Sequence, residues 1–128
     1  MAGFPRRISK KWILFILNQL ILNSVKYRSE SPVFRIYTKK LTSGVALVFQ
    51  DNGTGIPDEE MGRIFDKGFT GTNGRDHQRS TGMGLYLTKR LCRKLGLSVG
   101  IQSEEGKGTI VKIRFPRGRF QSEVYENE

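Results

Sequence analysis

The stretch FILNQLILNSVKY, Phe15 to Tyr27, restricts the possible fold more than any other part of this chain. Residues Ile8 to Ser29 read as one long helix whose apolar residues surround the axis instead of keeping to one stripe. Such a helix needs cover on most of its sides. Yet the same stretch carries Asn18, Gln19, Asn23 and Lys26. A buried amide without a partner costs about 1–3 kcal/mol, so these groups must face something polar. The longest apolar run, Trp12–Leu17, falls far short of the roughly 20 residues that cross a bilayer.

Two hairpins can supply the cover. In VFRIYTKKL, polar positions separate Phe34 and Ile36; VALVFQ is nearly continuous, and LTSG turns between the two. LSVGIQS and GTIVKIRF alternate in the same way around EEGK. Pro32 follows the first helix, where a helix should have ended. The strand VALVFQ runs directly into DNGTGIP, a glycine-rich break. PDEEMGRIF reads as a short helix with Pro57 at its first position and acids in its first turn, where the helix dipole favours them. Asp66 to Thr81 is polar and glycine-rich, the composition of a functional lid or of a linker. GMGLYLTKRLCRKLG then reads as an amphipathic helix, with Leu87, Leu91 and Leu95 at helical spacing and Gly96 closing it.

Helix, hairpin, glycine break, lid, helix and hairpin predict an α+β fold: a mixed, largely antiparallel sheet with helices on one face, a two-layer sandwich. At 128 residues the chain is one domain's worth and needs no staples. That domain spans residues 8–117, and residues 118–128 form a polar tail. The single cysteine, Cys92, makes no internal disulfide and suggests a reducing compartment. Its neighbours Leu91 and Leu95 mark it as a core thiol. The basic start MAGFPRRISKK lacks a small-residue cleavage site and does not read as a signal peptide.

A formal charge of +10 invites a nucleic-acid reading. RRISKK and RFPRGR lie near the two ends, but no nucleic-acid module accompanies them. Solvated faces, an anionic ligand or an anionic membrane surface accommodate the same charge. Charge alone does not decide.

Three pieces suit a nucleotide. Gln19, Asn23 and Lys26 fall within one helical stripe, with Tyr27 at its edge. A carboxamide oxygen beside an ammonium fits a hydrated Mg²⁺ and the phosphates it bridges; a polar stripe bonding neighbouring loops reads equally well. Asp51 ends an apolar strand, where a carboxylate can accept from an exocyclic amine such as adenine N6. Gly53 and Gly55 let backbone lie close to a flat ring. Taken alone, Asp-Asn-Gly reads better as plain turn chemistry. STGMGL, Ser80 to Leu85, places glycines at a helix start, where free amides favour an anion. It is neither a Walker nor a Rossmann fingerprint.

Their order carries more than each piece. The succession ILNQLILNSVKY, DNGTGI, RIFDKGF and GMGL resembles the N, G1, F and G2 boxes of the ATP-binding catalytic domain of bacterial sensor histidine kinases. That family shares the Bergerat-type ATP-binding fold with gyrase, Hsp90 and the mismatch-repair ATPases. EEGKGT resembles the turn before its last strand, and the likeness covers roughly Lys11 to Pro116. FDKGFTGTNGR with STGMGLYL is further similar to the antimicrobial-peptide-sensing kinases of Gram-positive bacteria.

The resemblance implies ATP and Mg²⁺ as ligands. Asn23 would hold Mg²⁺, Lys26 would touch phosphate and Tyr27 would line the nucleotide; Asn23, Lys26 and Gln19 would form the catalytic group. Asp51 would bind adenine N6, with Gly53, Gly55 and Ile56 beneath the ring and Thr109 reaching adenine through water. Phe65 and Phe69 would support the lid, and Gly82, Met83, Gly84 and Leu85 would wrap the triphosphate. Lys67 and Thr81 join the nucleotide-binding residues. In ATP-hydrolysing relatives a glutamate four residues before the Mg²⁺ asparagine activates water; here that position is Gln19, whose amide cannot act as a base. The expected activity is therefore phosphoryl transfer to a histidine on a separate dimerisation domain, which then phosphorylates a response regulator. His77, in RDHQRST, lacks the setting of that acceptor. The domain would be cytoplasmic and monomeric when isolated, the full kinase membrane-anchored and dimeric, with no nucleic-acid partner. A related serine kinase or a degenerate nucleotide-binding module is the alternative within the fold, and a basic nucleic-acid-binding domain the alternative outside it.

Overall fold

The computed structural model describes residues 10–69 and 84–117. In chain order these form α1 (Lys10–Lys26), β1 (Phe34–Leu41), β2 (Gly44–Asp51), a 3-10 turn (Asp58–Arg63), α2 (Gly84–Lys94), β3 (Ser98–Glu104) and β4 (Gly108–Pro116). The strands make one sheet in the order β1-β2-β4-β3. Every pairing is antiparallel, so the mixed character expected of the sheet is absent among the described residues. The cause is simple: two hairpins meet along β2 and β4, whose opposite directions leave no parallel pair.

Both helices pack on one face of the sheet. Strand alternation points Leu47 and Phe49 of β2, and Val111, Ile113 and Phe115 of β4, toward that face. There they form the core with Ile16 and Leu20 of α1, Cys92 of α2 and Leu97. Fully burying a side chain of this size contributes about 1.5–3 kcal/mol. The expected core thiol is there: Cys92 is 1% exposed. At the end of α2, Gly96 adopts φ +76 and the Leu97 N–H bonds the Cys92 carbonyl at 2.8 Å, the predicted glycine closure.

Three further expectations need correction. The apolar cover of α1 is one-sided: Ile16, Leu20 and Ser24 are buried, while Leu14 is 63% and Leu22 55% exposed. α1 also ends at Lys26, short of Ser29. The Tyr27 carbonyl, which another turn would have used, accepts the Thr54 N–H at 2.8 Å. Finally, Pro57 precedes the short helix instead of opening it, and that helix is a 3-10 turn. The expected helix start at Ile8, most of the expected lid with His77, Thr81, Gly82 and Met83, and the tail 118–128 lie outside the described residues.

Candidate functional site

Each apolar row facing the helices ends in a polar residue at the same end of the sheet. On β2 the row is Leu47, Phe49, Asp51; on β4 it is Phe115, Ile113, Val111, Thr109; on β3 it is Val99, Ile101, Ser103. Asp51 pairs with Thr109, and Thr109 with Ser103, so the three form a polar strip across neighbouring strands. The buried stripe of α1 ends alike, since Ile16, Leu20 and Ser24 follow at four-residue intervals. Helix and sheet thus place their polar ends together.

Hydrogen bonds hold this end rigid. The Ser24 hydroxyl donates to Asp51 Oδ2 at 2.8 Å, and the Gly53 N–H donates to Asp51 Oδ1 at 2.8 Å. Hydrogen bonds to a charged group are worth about 1.5–3 kcal/mol. Ser103 Oγ accepts the Ile56 N–H at 2.8 Å, donates to the Gly108 carbonyl at 2.9 Å and lies 2.8 Å from Thr109 Oγ1. The DNGTGI loop is clamped on all sides. Beyond Thr54 on Tyr27, the Gly106 N–H bonds the Thr54 carbonyl at 2.7 Å. The Asn52 side chain accepts the Val33 N–H at 2.8 Å and donates to the Ser31 carbonyl at 3.0 Å. Gly55 sits at φ +74, and a β-carbon there would collide with the Glu104 carbonyl. A β-carbon on Gly53 would run into the Tyr27 carbonyl. These glycines let the loop lie flat between α1 and the β3–β4 turn.

The α1 stripe faces the start of α2. Gln19 Oε1 stands so close to Gly84 that a β-carbon there would come within 3.1 Å of it. Asn23 and Lys26 continue this stripe, both half-buried. The Lys26 ammonium lies 4.8 Å from the centre of the Tyr27 ring, and burial lowers its pKa. Burial, and then the carboxylate of Glu60, push the Tyr27 phenol up to about 12. Lys89 of α2 lies 4.6 Å over Phe65, and Arg63 lies 4.6 Å over Phe69, so cations bracket both aromatics of RIFDKGF. Ile64 between them is buried. Lys67 is exposed, and Leu85 packs against the core. Asn18 is exposed.

The structure therefore brings Asp51, Gly53, Gly55, Ile56 and Thr109 to one end of the sheet, and Gln19 beside Gly84 at the helix junction. Three residues passed over in the sequence hold the site together: Ser24, Asn52 and Ser103. Ser24 was readable as the next step of the Ile16–Leu20 stripe, and Ser103 as the polar end of an alternating strand. Asn52 was readable only as part of the Asp-Asn-Gly turn, and its partners are backbone groups of a distant loop. Among the described residues, no group of three or more His, Cys, Asp or Glu is placed to hold a metal ion.

Residues 9–119 match the family model described as histidine kinase-, DNA gyrase B-, and HSP90-like ATPase. The chain is 41% identical over 116 residues to the sensor protein kinase GraS of Staphylococcus aureus (strain MRSA252), covering 91% of this chain and 32% of that protein. It is 42% identical over 112 residues to the sensor protein BceS of Bacillus subtilis (strain 168), covering 87% of this chain and 33% of that protein. It thus spans about a third of the length of these curated relatives. Among solved structures, the mycobacterial sensor histidine kinase MprB superposes with a TM-score of 0.75 at 21% identity, over 86% of this chain and 75% of that one. Full-length ShkA, solved in complex with AMPPNP, gives 0.70 at 26% identity, over 90% of this chain and 24% of that one.

Proposed function

This chain belongs to the histidine kinase-, DNA gyrase B-, and HSP90-like ATPase family, and from that membership we propose that it binds Mg-ATP and donates the γ-phosphoryl group to a histidine on a separate dimerisation domain. That domain would then phosphorylate a response regulator. The observation that carries the reading is the polar strip of Asp51, Thr109 and Ser103 closing an otherwise apolar sheet face, with Asp51 anchored through both oxygens. The AMPPNP held by ShkA supports the nucleotide class.

Asp51 accepts the adenine N6 amine with the lone pairs that Ser24 and Gly53 leave unused. Gly53, Gly55 and Ile56 lie beneath the ring, and Thr109 reaches it through water. Tyr27 lines the nucleotide, and Lys26 meets phosphate as a point charge. Phosphate returns to Lys26 the charge stabilisation that burial removes. Phe65, Lys67 and Phe69, with Thr81 to Leu85, hold the triphosphate side.

The donor set suits magnesium held chiefly through phosphate. Mg²⁺ keeps several waters and takes one or two protein oxygens, so an amide such as Asn23 suffices where the described residues offer no acidic cage. Bound there, Mg²⁺ would neutralise charge on the phosphates. Gln19, against Gly84, supplies no base for water. A site that positions the γ-phosphoryl without activating water favours an external nucleophile. The accepting histidine, the sensor and a membrane anchor would belong to a longer, dimeric kinase; no described helix of this chain is long and apolar enough to cross a membrane.

The test is to mix the chain with a purified dimerisation domain of a GraS-type kinase and γ-labelled Mg-ATP. Acid-labile, alkali-stable phosphohistidine on that domain is expected. Nucleotide binding without any phosphohistidine contradicts the transfer step.

A further inference from the structure

Ser24 has no role in the phosphate and metal chemistry assigned to its neighbour Asn23, yet it is 3% exposed and carries a hydroxyl. A mid-helix serine commonly returns its proton to the carbonyl four residues back. Ser24 instead donates to Asp51 Oδ2 at 2.8 Å, a partner 27 residues away. The opposite oxygen, Oδ1, is held at 2.8 Å by the Gly53 N–H.

We infer that Ser24 is a positioning residue for base selection: its hydroxyl fixes the Asp51 carboxylate so that a 6-amino purine is accepted and a 6-oxo purine refused. This rests on the reading of Asp51 as the adenine acceptor. The terminal torsion of an aspartate is broad and roughly two-fold, so packing alone holds its plane weakly. Two donors on opposite oxygens, one from α1 and one from the glycine loop, set that plane. An exocyclic amine meets the remaining lone pairs as a donor. A 6-oxo group would set acceptor against acceptor, and a site built on buried polar groups rejects such a mismatch strongly. Without the hydroxyl, Oδ2 loses its buried donor and the carboxylate is free to turn.

Calorimetric titration of the full chain, as parent, Ser24→Ala and Ser24→Thr, separates this role from a structural one. Two ligands are compared with Mg²⁺: ATP, and purine riboside triphosphate, which lacks the 6-amino group. Ser24→Ala should lose about tenfold in ATP affinity and change little toward the purine analogue, narrowing the gap between them. Ser24→Thr keeps the hydroxyl and should keep most of the discrimination. Equal loss toward both ligands in Ser24→Ala, or no loss toward ATP, overturns the inference while leaving the Asp51 reading in place. A parent chain that binds both ligands alike overturns the Asp51 reading, and this inference with it. Should Ser24→Ala fail to fold, Ser24→Cys, a weak donor of similar size, takes its place with the same expected narrowing.

Discussion

Asp51 and Thr109 are register partners across β2 and β4, a polar pair at the end of rows that are otherwise apolar and turned toward the helices. A sheet that packs helices on one face normally keeps such positions apolar. Here the apolar rows of β2, β4 and β3 stop and a hydrogen-bonded polar strip begins. The proposed nucleotide would set its base at that boundary and its phosphates along the α1 stripe.

If Asn23 serves the metal, its removal should act through Mg²⁺ and not through the fold. Asn23→Ala should leave the circular dichroism spectrum unchanged and abolish most of the Mg²⁺-dependent gain in ATP affinity. Titrations with Mg²⁺ and with EDTA measure that gain. A mutant that keeps the parent's Mg²⁺ dependence refutes the role.

Gly55 tests the clamp on the glycine loop. Its φ of +74 and the Glu104 carbonyl over its α-carbon leave no room for a side chain. Gly55→Ala should cost about 1–3 kcal/mol, a Tm lower by roughly 5–15 °C. A thermal melt checks it. An unchanged Tm would mean that the loop is looser than the structure shows.

Tyr27 predicts a pH signature. Its phenol is raised from 10.0 to about 12, first by burial and then by Glu60. Because the folded pKa lies above the unfolded one, its contribution is complete below pH 10 and is lost as pH rises from 10 through about 12. Lys26 works the other way: its folded pKa is lowered by burial, so its contribution is present above 10.5 and lost as pH falls through the folded value. Absorbance titration of tyrosinate should show one late component near pH 12 that Tyr27→Phe removes. No change in the late titration on that substitution would contradict the burial of this ring.

Cys92 reports on the core. It is 1% exposed and burial pushes its thiol up to about 11. A disulfide reagent at neutral pH should label it only on unfolding, so labelling should track denaturant unfolding of the chain. Rapid labelling of the native chain would place the thiol at the surface.

The hairpins, the second helix with its glycine stop and the core thiol were legible because period-two alternation, four-residue spacing and Gly96 are local signals. What sequence pattern missed was set by tertiary bonds. α1 stops at Lys26 because Thr54, far along the chain, takes the Tyr27 carbonyl. The outer face of α1 stays open because the sheet covers only the Ile16–Leu20–Ser24 side. In the candidate site, Asp51 and the glycines were readable as a break after an apolar strand. Asn52 was not, since its partners are the carbonyl of Ser31 and the amide of Val33, which no spacing rule links to it.

Whether Asp51 accepts the adenine amine is decided by one calorimetric comparison. Mg-ATP is titrated into the parent chain and into Asp51→Asn, which keeps the size of the side chain but turns a donor toward the base. Saturable, one-site binding is expected of the parent and a loss of at least about tenfold of the mutant, with the fold retained. Equal affinity in the two proteins, or no binding of Mg-ATP by the parent, would contradict it.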